Sequence, residues 1–352
     1  MQNPDKAPVN TSQIESENLL EVKNLDVSFR TDEGIIKVLD GISFNVPKGK
    51  TLGIVGESGS GKSVSTKSIM QLNPKNAIIS EGSEIILKER DGERVDILSL
   101  KSNSRHMRDI RGGEIGMIFQ EPMASFSPVY TIGNQMIEAI RLHRDMSKKE
   151  ARSLAIEMLE KVGISNPDTR VDQYPSELSG GMRQRAMIAL ALSTNPALLI
   201  ADEPTTALDV TIQAQVLDLM RGLQKEIGMS IIFITHDLGV VAQIADEVAV
   251  MYLGHIVESG SARDIIKNPR HPYTIGLLNA LPNVEDFSRR LTPIGGDIPS
   301  PLERPIGCPF HTRCAHVTKG VCDVGLPVMT EITESHKVRC FLVEEKEVSH
   351  AS

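Results

Sequence analysis

From Leu19 to Val46 the chain alternates apolar and polar positions. Leu20, Val22, Leu25, Val27 and Phe29 mark a first arm; Ile36, Val38, Leu39, Ile42, Phe44 and Val46 mark a second. Thr31-Asp32-Glu33-Gly34 interrupts the alternation as a turn, so the stretch predicts a small antiparallel sheet. The pattern then changes. Thr51–Val55, Gly116–Phe119, Ala197–Ala201 and Ser230–Thr235 are short apolar runs without alternation, as expected of strands buried on both faces. Ile85–Leu87 and Val95–Leu98 are weaker strand signals, and Glu247–Val257 reads as a strand pair around Gly254. Helical spacing fills the gaps. After the capping box Ser147-x-x-Glu150 come Ala151, Leu154, Ala155, Met158, Leu159 and Val162, stopped by Gly163. Ile212, Val216, Leu219, Met220, Leu223 and Ile227 follow a cap at Asp209 or Thr211 and end at Gly228. Buried strands alternating with helices predict an α/β fold.

Each buried run delivers polar residues at its C-terminal end, the edge where open parallel sheets bind ligands. Thr51–Val55 runs into Gly56-Glu57-Ser58-Gly59-Ser60-Gly61-Lys62-Ser63, with a helix predicted from Val64 to Leu72. Glycines in such a loop let successive backbone N–H groups turn toward phosphates, and the helix adds its positive end. Lys62 is placed for the β/γ-phosphates and the Ser63 hydroxyl for Mg²⁺. Gly116–Phe119 ends at Gln120, and proline and glycine then make Glu121–Gly133 a hinge-like loop. Ala197–Ala201 runs into Asp202-Glu203, a pair suited to hold Mg²⁺ and to orient or deprotonate a water. Ser230–Thr235 is followed by His236. Ser179-Gly180-Gly181 opens a helix running to Ser193 and reads either as a second anion-binding end or as a plain helix cap. Phe29 suits stacking on an adenine ring and equally a half-buried strand position.

Composition narrows the class. The 352 residues are 40% hydrophobic and 24% charged, ordinary for a globular chain of two domains. No apolar run approaches membrane-spanning length, and Met1–Ser16 is polar, without a signal-peptide core, and is expected to be a disordered tail. A net charge of −8 disfavours nucleic acid as the main partner. Cysteine occurs only at Cys308, Cys314, Cys322 and Cys340, spaced C-x5-C-x7-C-x17-C, which is neither a zinc ribbon nor a ferredoxin run. By chemistry alone three options stand: disulfides, which a reducing compartment disfavours, structural zinc, with His311, His316 or His336 as spare ligands, or a [4Fe–4S] cluster.

Taken in order, these motifs resemble the ATP-binding-cassette family over about Leu19 to Gly260. Gly56–Ser63 is similar to its Walker A loop, Gln120 to the Q-loop glutamine and Leu178-Ser179-Gly180-Gly181-Met182 to the ABC signature. Leu198–Glu203 is similar to Walker B with its catalytic glutamate, Ala207-Leu208-Asp209 to the D-loop and His236 to the switch histidine. The commonest signature has glutamine where Met182 stands; Gln184 lies close by. The resemblance implies a P-loop ATPase with a RecA-like core, an antiparallel β subdomain and a helical subdomain. It implies ATP held by Phe29, Gly56 to Ser63 and Gln120, and, across a head-to-tail pair, by Ser179, Gly180, Gly181 and Asp209. Mg²⁺ is implied at Ser63, Gln120 and Asp202, with catalysis by Glu203 and His236.

Asn268-Pro269-Arg270-His271-Pro272-Tyr273-Thr274, then Leu277-Leu278 and Ala280-Leu281-Pro282, resemble the extension of oligopeptide and dipeptide permease ATPases. So does Glu203–Gln215. The implied assembly holds two membrane permeases, a paralogous ATPase and an extracytoplasmic peptide-binding protein, with this chain on the cytoplasmic face. Related importers carry nickel or glutathione. DNA-repair ATPases share Walker A and the signature but insert long coiled coils between them, and none stands between Ser63 and Leu178. In this subgroup the cysteine pattern is associated with a [4Fe–4S] cluster at Cys308, Cys314, Cys322 and Cys340, placed ahead of zinc. The expected layout is a tail over 1–18, a cassette over 19–262 with its helical part near 121–195, and a metal-binding extension over 263–352. Lys62, Glu203 and His236 all precede Gly260, so the metal is expected to be structural and not part of hydrolysis, and Cys314→Ser to leave nucleotide binding by Gly56–Ser63 largely intact.

Overall fold

The computed structural model describes residues 18–120, 125–205, 209–281 and 293–343. The N-terminal tail, the start of the loop after Gln120, Ala207-Leu208 and Pro282 lie outside them. In chain order the strands are β1 (Asn18–Thr31), β2 (Gly34–Pro47), β3 (Thr51–Val55), β4 (Ala77–Ile79), β5 (Glu84–Lys88), β6 (Arg94–Asp96), β7 (Ile115–Ile118), β8 (Leu198–Asp202), β9 (Ser230–Thr235), β10 (Glu247–Tyr252), β11 (His255–Ser261), β12 (Thr330–Thr333) and β13 (His336–Val338).

They form two sheets. The first is antiparallel, ordered β2-β1-β5-β6 with β4 also on β1. Its inward positions are the alternating residues of the two arms: Leu20, Val22, Leu25 and Val27 on β1, Leu39, Ile42, Phe44 and Val46 on β2, all buried. The second sheet runs β12-β13-β11-β10-β3-β9-β8-β7. From β10 to β7 its neighbours are parallel, so their C-terminal ends line one edge.

The period of two explains why these strands are apolar throughout. Leu198, Ile200, Ile232 and Ile234 face the core shared with the antiparallel sheet. Leu199, Ala201, Ile231 and Phe233 face the core shared with the helices. Each such side chain buried contributes about 1.5–3 kcal/mol, which holds the sheet between its two layers. The helical layer comprises Ile132–His143, Lys148–Lys161 and Gly180–Leu192, joined by Val210–Ile227. The Ser147 hydroxyl accepts from Glu150 N (3.3 Å) while Glu150 accepts from Ser147 N (2.8 Å), closing the expected capping box. Asp209 accepts from Ile212 N (2.9 Å) and starts the long helix.

Four local expectations change. Gly133 does not break the chain; it lies in the first turn of Ile132–His143, where a Cβ would stand 2.5 Å from Val171 Cγ2, so the missing side chain permits close packing. Phe119 falls beyond β7 and is exposed. Ile97 and Leu98 leave the strand because Asp96 accepts from Leu98 N (3.1 Å) and starts a single 3₁₀ turn. The C-terminal extension is not an appendage either. β13 pairs with β11, and the wholly buried Glu258 on β11 accepts from Arg270 N (2.7 Å), His271 N (3.0 Å) and His336 Nε2 (2.8 Å).

Gly116 on β7 tests this packing. A Cβ there would stand 2.6 Å from Ala191 O and 3.0 Å from Pro196 Cγ. Gly116→Ala is expected to cost about 1–3 kcal/mol in urea unfolding, because backbone rather than a flexible side chain must move. An unchanged midpoint would show that the Gly180–Leu192 helix slides freely on the sheet.

Candidate functional site

The site is built at the edge formed by the ends of β3, β9, β8 and β7. β3 feeds the loop Gly56–Gly61, and the helix Lys62–Ile69 follows. Gly56 has no alternative: a Cβ would stand 2.1 Å from Met251 O. Gly59 and Gly61 take φ of 78° and 102°, the left-handed region that suits glycine. The loop is tied down on its inner side by Gly254 N, which donates to Ser60 O (2.9 Å). Ser60 Oγ is buried without a hydrogen-bond partner.

Lys62 is buried, and its ammonium donates to Gly56 O (2.6 Å) and Glu57 O (3.0 Å). Burial lowers its pKa, opposed by the charges of Glu203, Asp202 and Glu57. Ser63 Oγ donates to Asp202 Oδ1 (3.1 Å). Burial raises the Asp202 pKa against that hydrogen bond, and the neighbouring Glu203 charge adds to the rise. A desolvated carboxylate beside a hydroxyl is a donor set that fits a divalent cation of the Mg²⁺ kind.

Glu203 follows β8 with φ 48°, a strained value for a non-glycine residue, and its backbone N donates to Ile234 O (3.0 Å). Gln120 Nε2 donates to Glu203 Oε2 (3.3 Å), and His236 Nδ1 lies 3.6 Å from the same oxygen. Residues more than 80 positions apart thus meet because three parallel strands end side by side.

Other expected residues lie apart from this group. Ser179 caps the helix Gly180–Leu192, its hydroxyl accepting from Met182 N (3.3 Å), and Ser179 and Gly180 are exposed. Asp209 is exposed as a helix cap. Phe29 is half-buried on β1, opposite Ile36 and Ala77, and packs on the core of the antiparallel sheet.

Sequence reasoning missed three residues. Gln184 is buried and donates to Pro204 O, joining the helix after Ser179 to the loop after Glu203. Tyr273 is buried, and its hydroxyl accepts from Glu57 N (2.9 Å). Arg313 forks onto the Glu57 carboxylate at 2.7 and 3.1 Å. The extension therefore touches the loop Gly56–Ser63. Tyr273 stood inside a quoted motif but had no chemical signal of its own; Arg313 had none.

Cys308, Cys314, Cys322 and Cys340 line one small cavity together with Phe310, and all four are free thiols. His316 N donates to Cys314 Sγ and Thr318 N to Cys322 Sγ, both at 3.4 Å. Burial pushes Cys308 up to about 11 and Cys340 up to about 12. Crowded thiols with N–H groups aimed at two of the sulfurs fit a cationic group that stabilises thiolates. His311 and His316 also line the cavity; His336 does not, being bonded to Glu258.

Prediction at this site concerns Gly56. Gly56→Ala is expected to weaken binding of a fluorescent ATP analogue about tenfold or more, with an unchanged circular dichroism spectrum. Wild-type affinity would show that the loop does not need its present path.

Residues 39–206 match the family model described as ABC transporter, and residues 257–322 match the oligopeptide/dipeptide transporter C-terminal region. A putative peptide import ATP-binding protein of Brucella ovis is 48% identical over 333 residues, covering 93% of this chain and 98% of that protein. The dipeptide transport ATP-binding protein DppD of Bacillus subtilis is 48% identical over 330 residues, covering 94% of this chain and 96% of that protein. An ATP-binding cassette solved as a post-hydrolysis dimer with ADP and Pi has a TM-score of 0.61 at 27% identity, covering 69% of this chain and 99% of that one. The ATPase core, the strand-edge site and the matched C-terminal region together place the chain in the ABC transporter ATP-binding family, in its oligopeptide/dipeptide branch.

Proposed function

We propose that this chain is the ATP-hydrolysing subunit of an importer that carries oligopeptides or dipeptides across the cytoplasmic membrane. The observation that carries the reading is the convergence of Lys62, Ser63, Asp202, Glu203, Gln120 and His236 on one sheet edge. Nickel and glutathione importers share the C-terminal extension, so what favours peptide as cargo is the relatives at about 48% identity, named as peptide import, dipeptide and oligopeptide ATP-binding proteins.

In this reading the loop Gly56–Ser63 cradles the phosphates, and Phe29 stacks on the adenine. Ser63, Asp202 and Gln120 would hold Mg²⁺, which supplies charge neutralisation at the phosphates. Glu203 accepts the proton of the attacking water, and His236 and Gln120 orient its carboxylate. Ser179 and Gly180, exposed at a helix start, and Gly181 beside them complete the nucleotide site of a paralogous ATPase across a head-to-tail pair, with Asp209 at that junction. Two permeases, reached through the loop after Gln120 and the helical layer, and an extracytoplasmic peptide-binding protein complete the machine. No helix among the described residues is long and apolar enough to cross a membrane, which suits a peripheral subunit on the cytoplasmic face. The layout follows as a cassette over 19–262 and an extension over 263–352.

The test is reconstitution with the permeases, the paralogous ATPase and the binding protein in vesicles. Wild type is expected to take up labelled peptide when ATP is supplied. Glu203→Gln keeps ATP binding and loses turnover by about 100-fold or more, the scale of general-base catalysis. Hydrolysis at the wild-type rate would remove Glu203 from its role, and ATP-driven uptake of nickel without peptide would replace the cargo.

The cysteines would hold a [4Fe–4S] cluster, which ties four thiolates into one rigid knot and serves structure here. What supports this is the single cavity that all four thiols share. Protein purified without oxygen is expected to be brown and to contain iron and sulfide, both lost in Cys314→Ser. Stoichiometric zinc without iron would establish the rival metal, and absence of any metal would leave four structural thiols.

A further inference from the structure

Glu57 is the residue of the phosphate loop with the most partners outside it, and every one of its polar groups is committed. Its N–H donates to Tyr273 Oη (2.9 Å). Its carbonyl accepts from Lys62 Nζ (3.0 Å) and from Ser60 N (3.2 Å). Its carboxylate takes the two arms of Arg313. Where Glu57 sits therefore sets where the Lys62 ammonium sits.

Every donor of Arg313 is used at this place. Its side chain is 4% exposed. Nε donates to Gly295 O (3.1 Å), one terminal nitrogen to Glu57 and Tyr252 Oη (3.4 Å), and the other to Glu57 and Ile294 O (3.5 Å). These five bonds match the five N–H donors of a guanidinium. The guanidinium also lies over the Tyr252 ring, 5.8 Å from its centre. Burial alone would lower the Arg313 pKa, and the Glu57 carboxylate outweighs it.

The backbone that carries Arg313 belongs to the cysteine loop. Arg313 closes the turn His311–Arg313, its N donating to Phe310 O (3.0 Å), and Cys314 comes next. Phe310 in turn packs edge-on against Tyr252 at 5.2 Å and against Tyr273 at 5.3 Å. The cysteine loop, the aromatic cluster and the phosphate loop make one packed body.

We infer that Arg313 is a positioning residue of the nucleotide site: carried on the cysteine loop, it fixes Glu57 and through it the phosphate loop and Lys62. The inference rests on the reading of Gly56–Ser63 as the ATP-binding loop. Arg313 acts through Glu57, and so on affinity. A lysine does not replace it, because one ammonium cannot make the two parallel bonds to the carboxylate.

The test uses the full-length chain and a fluorescent ATP analogue. Arg313→Gln and Glu57→Gln are each expected to weaken binding about tenfold, because each leaves a desolvated partner unpaired. In the reconstituted transporter KM for ATP rises by a similar factor, with kcat changed much less. Arg313→Lys recovers little of the loss. The double variant binds no worse than either single one, the mark of a shared interaction. If Arg313→Gln fails to fold, Glu57→Gln breaks the same pair from the other side and gives the same readout. Wild-type affinity in Glu57→Gln, or additive losses in the double variant, would overturn the inference. Failure of the wild-type chain to bind ATP at all would instead overturn the functional reading beneath it.

Discussion

A buried ammonium is the constraint on which this structure turns. Lys62 is buried, and among the described residues its ammonium donates to two carbonyls, those of Gly56 and Glu57. Carbonyls are dipoles, so its charge is balanced at a distance by Asp202, Glu203 and Glu57. A desolvated charge without such balance costs several kcal/mol, about as much as a domain has to spare. The fold meets the need by topology. Ending β3, β8 and β9 side by side places the loop lysine and the two carboxylates within reach of one another. The same arrangement leaves Asp202 desolvated, so cation and carboxylates share one strained pocket. A polyanion with a divalent cation is the ligand that relieves both strains together.

Much of this was legible along the chain because it is local. Period-two alternation in β1 and β2 and the unbroken apolar runs of β3, β8 and β9 name the two sheets and say which is buried on both faces. The caps at Ser147, Ser179 and Asp209 act over three residues, within any reading window. Some of the site residues were legible for a different reason. Gln120, Glu203 and His236 stand just past the ends of β7, β8 and β9, and the loop Gly56–Gly61 follows β3; the end of a buried strand is where open parallel sheets bind ligands.

What stayed hidden depends on partners far away in the chain. Gly133 looks like a helix breaker until Val171 is seen against it. Arg313 and Tyr273 reach Glu57 across 256 and 216 positions, with no periodicity to announce them. Gln184 reads as one more polar helix residue, yet it bonds Pro204 O beneath the catalytic loop. His336 looked like a spare metal ligand because it stands near Cys340; the pairing of β13 with β11 turns it onto Glu258 instead.

The C-terminal segment then takes on a different meaning. An extension added only to bind a metal needs no contact with the phosphate loop, and one fused for stability needs only the pairing of β13 with β11. This segment does more. Arg304 from it donates to Val38 O, Leu253 O and Asp40, bracing the turn whose Gly254 N holds Ser60 O. Arg313 and Tyr273 brace Glu57 on the other side of the same loop. The nucleotide loop is thus gripped at two points by residues that follow the whole ATPase core in the chain. A loop of glycines gains binding precision only from what surrounds it, because its own backbone has so many conformations to lose. The cysteine cavity adjoins the turn His311–Arg313 that carries one of those grips, so whatever stiffens it also stiffens the loop Gly56–Gly61.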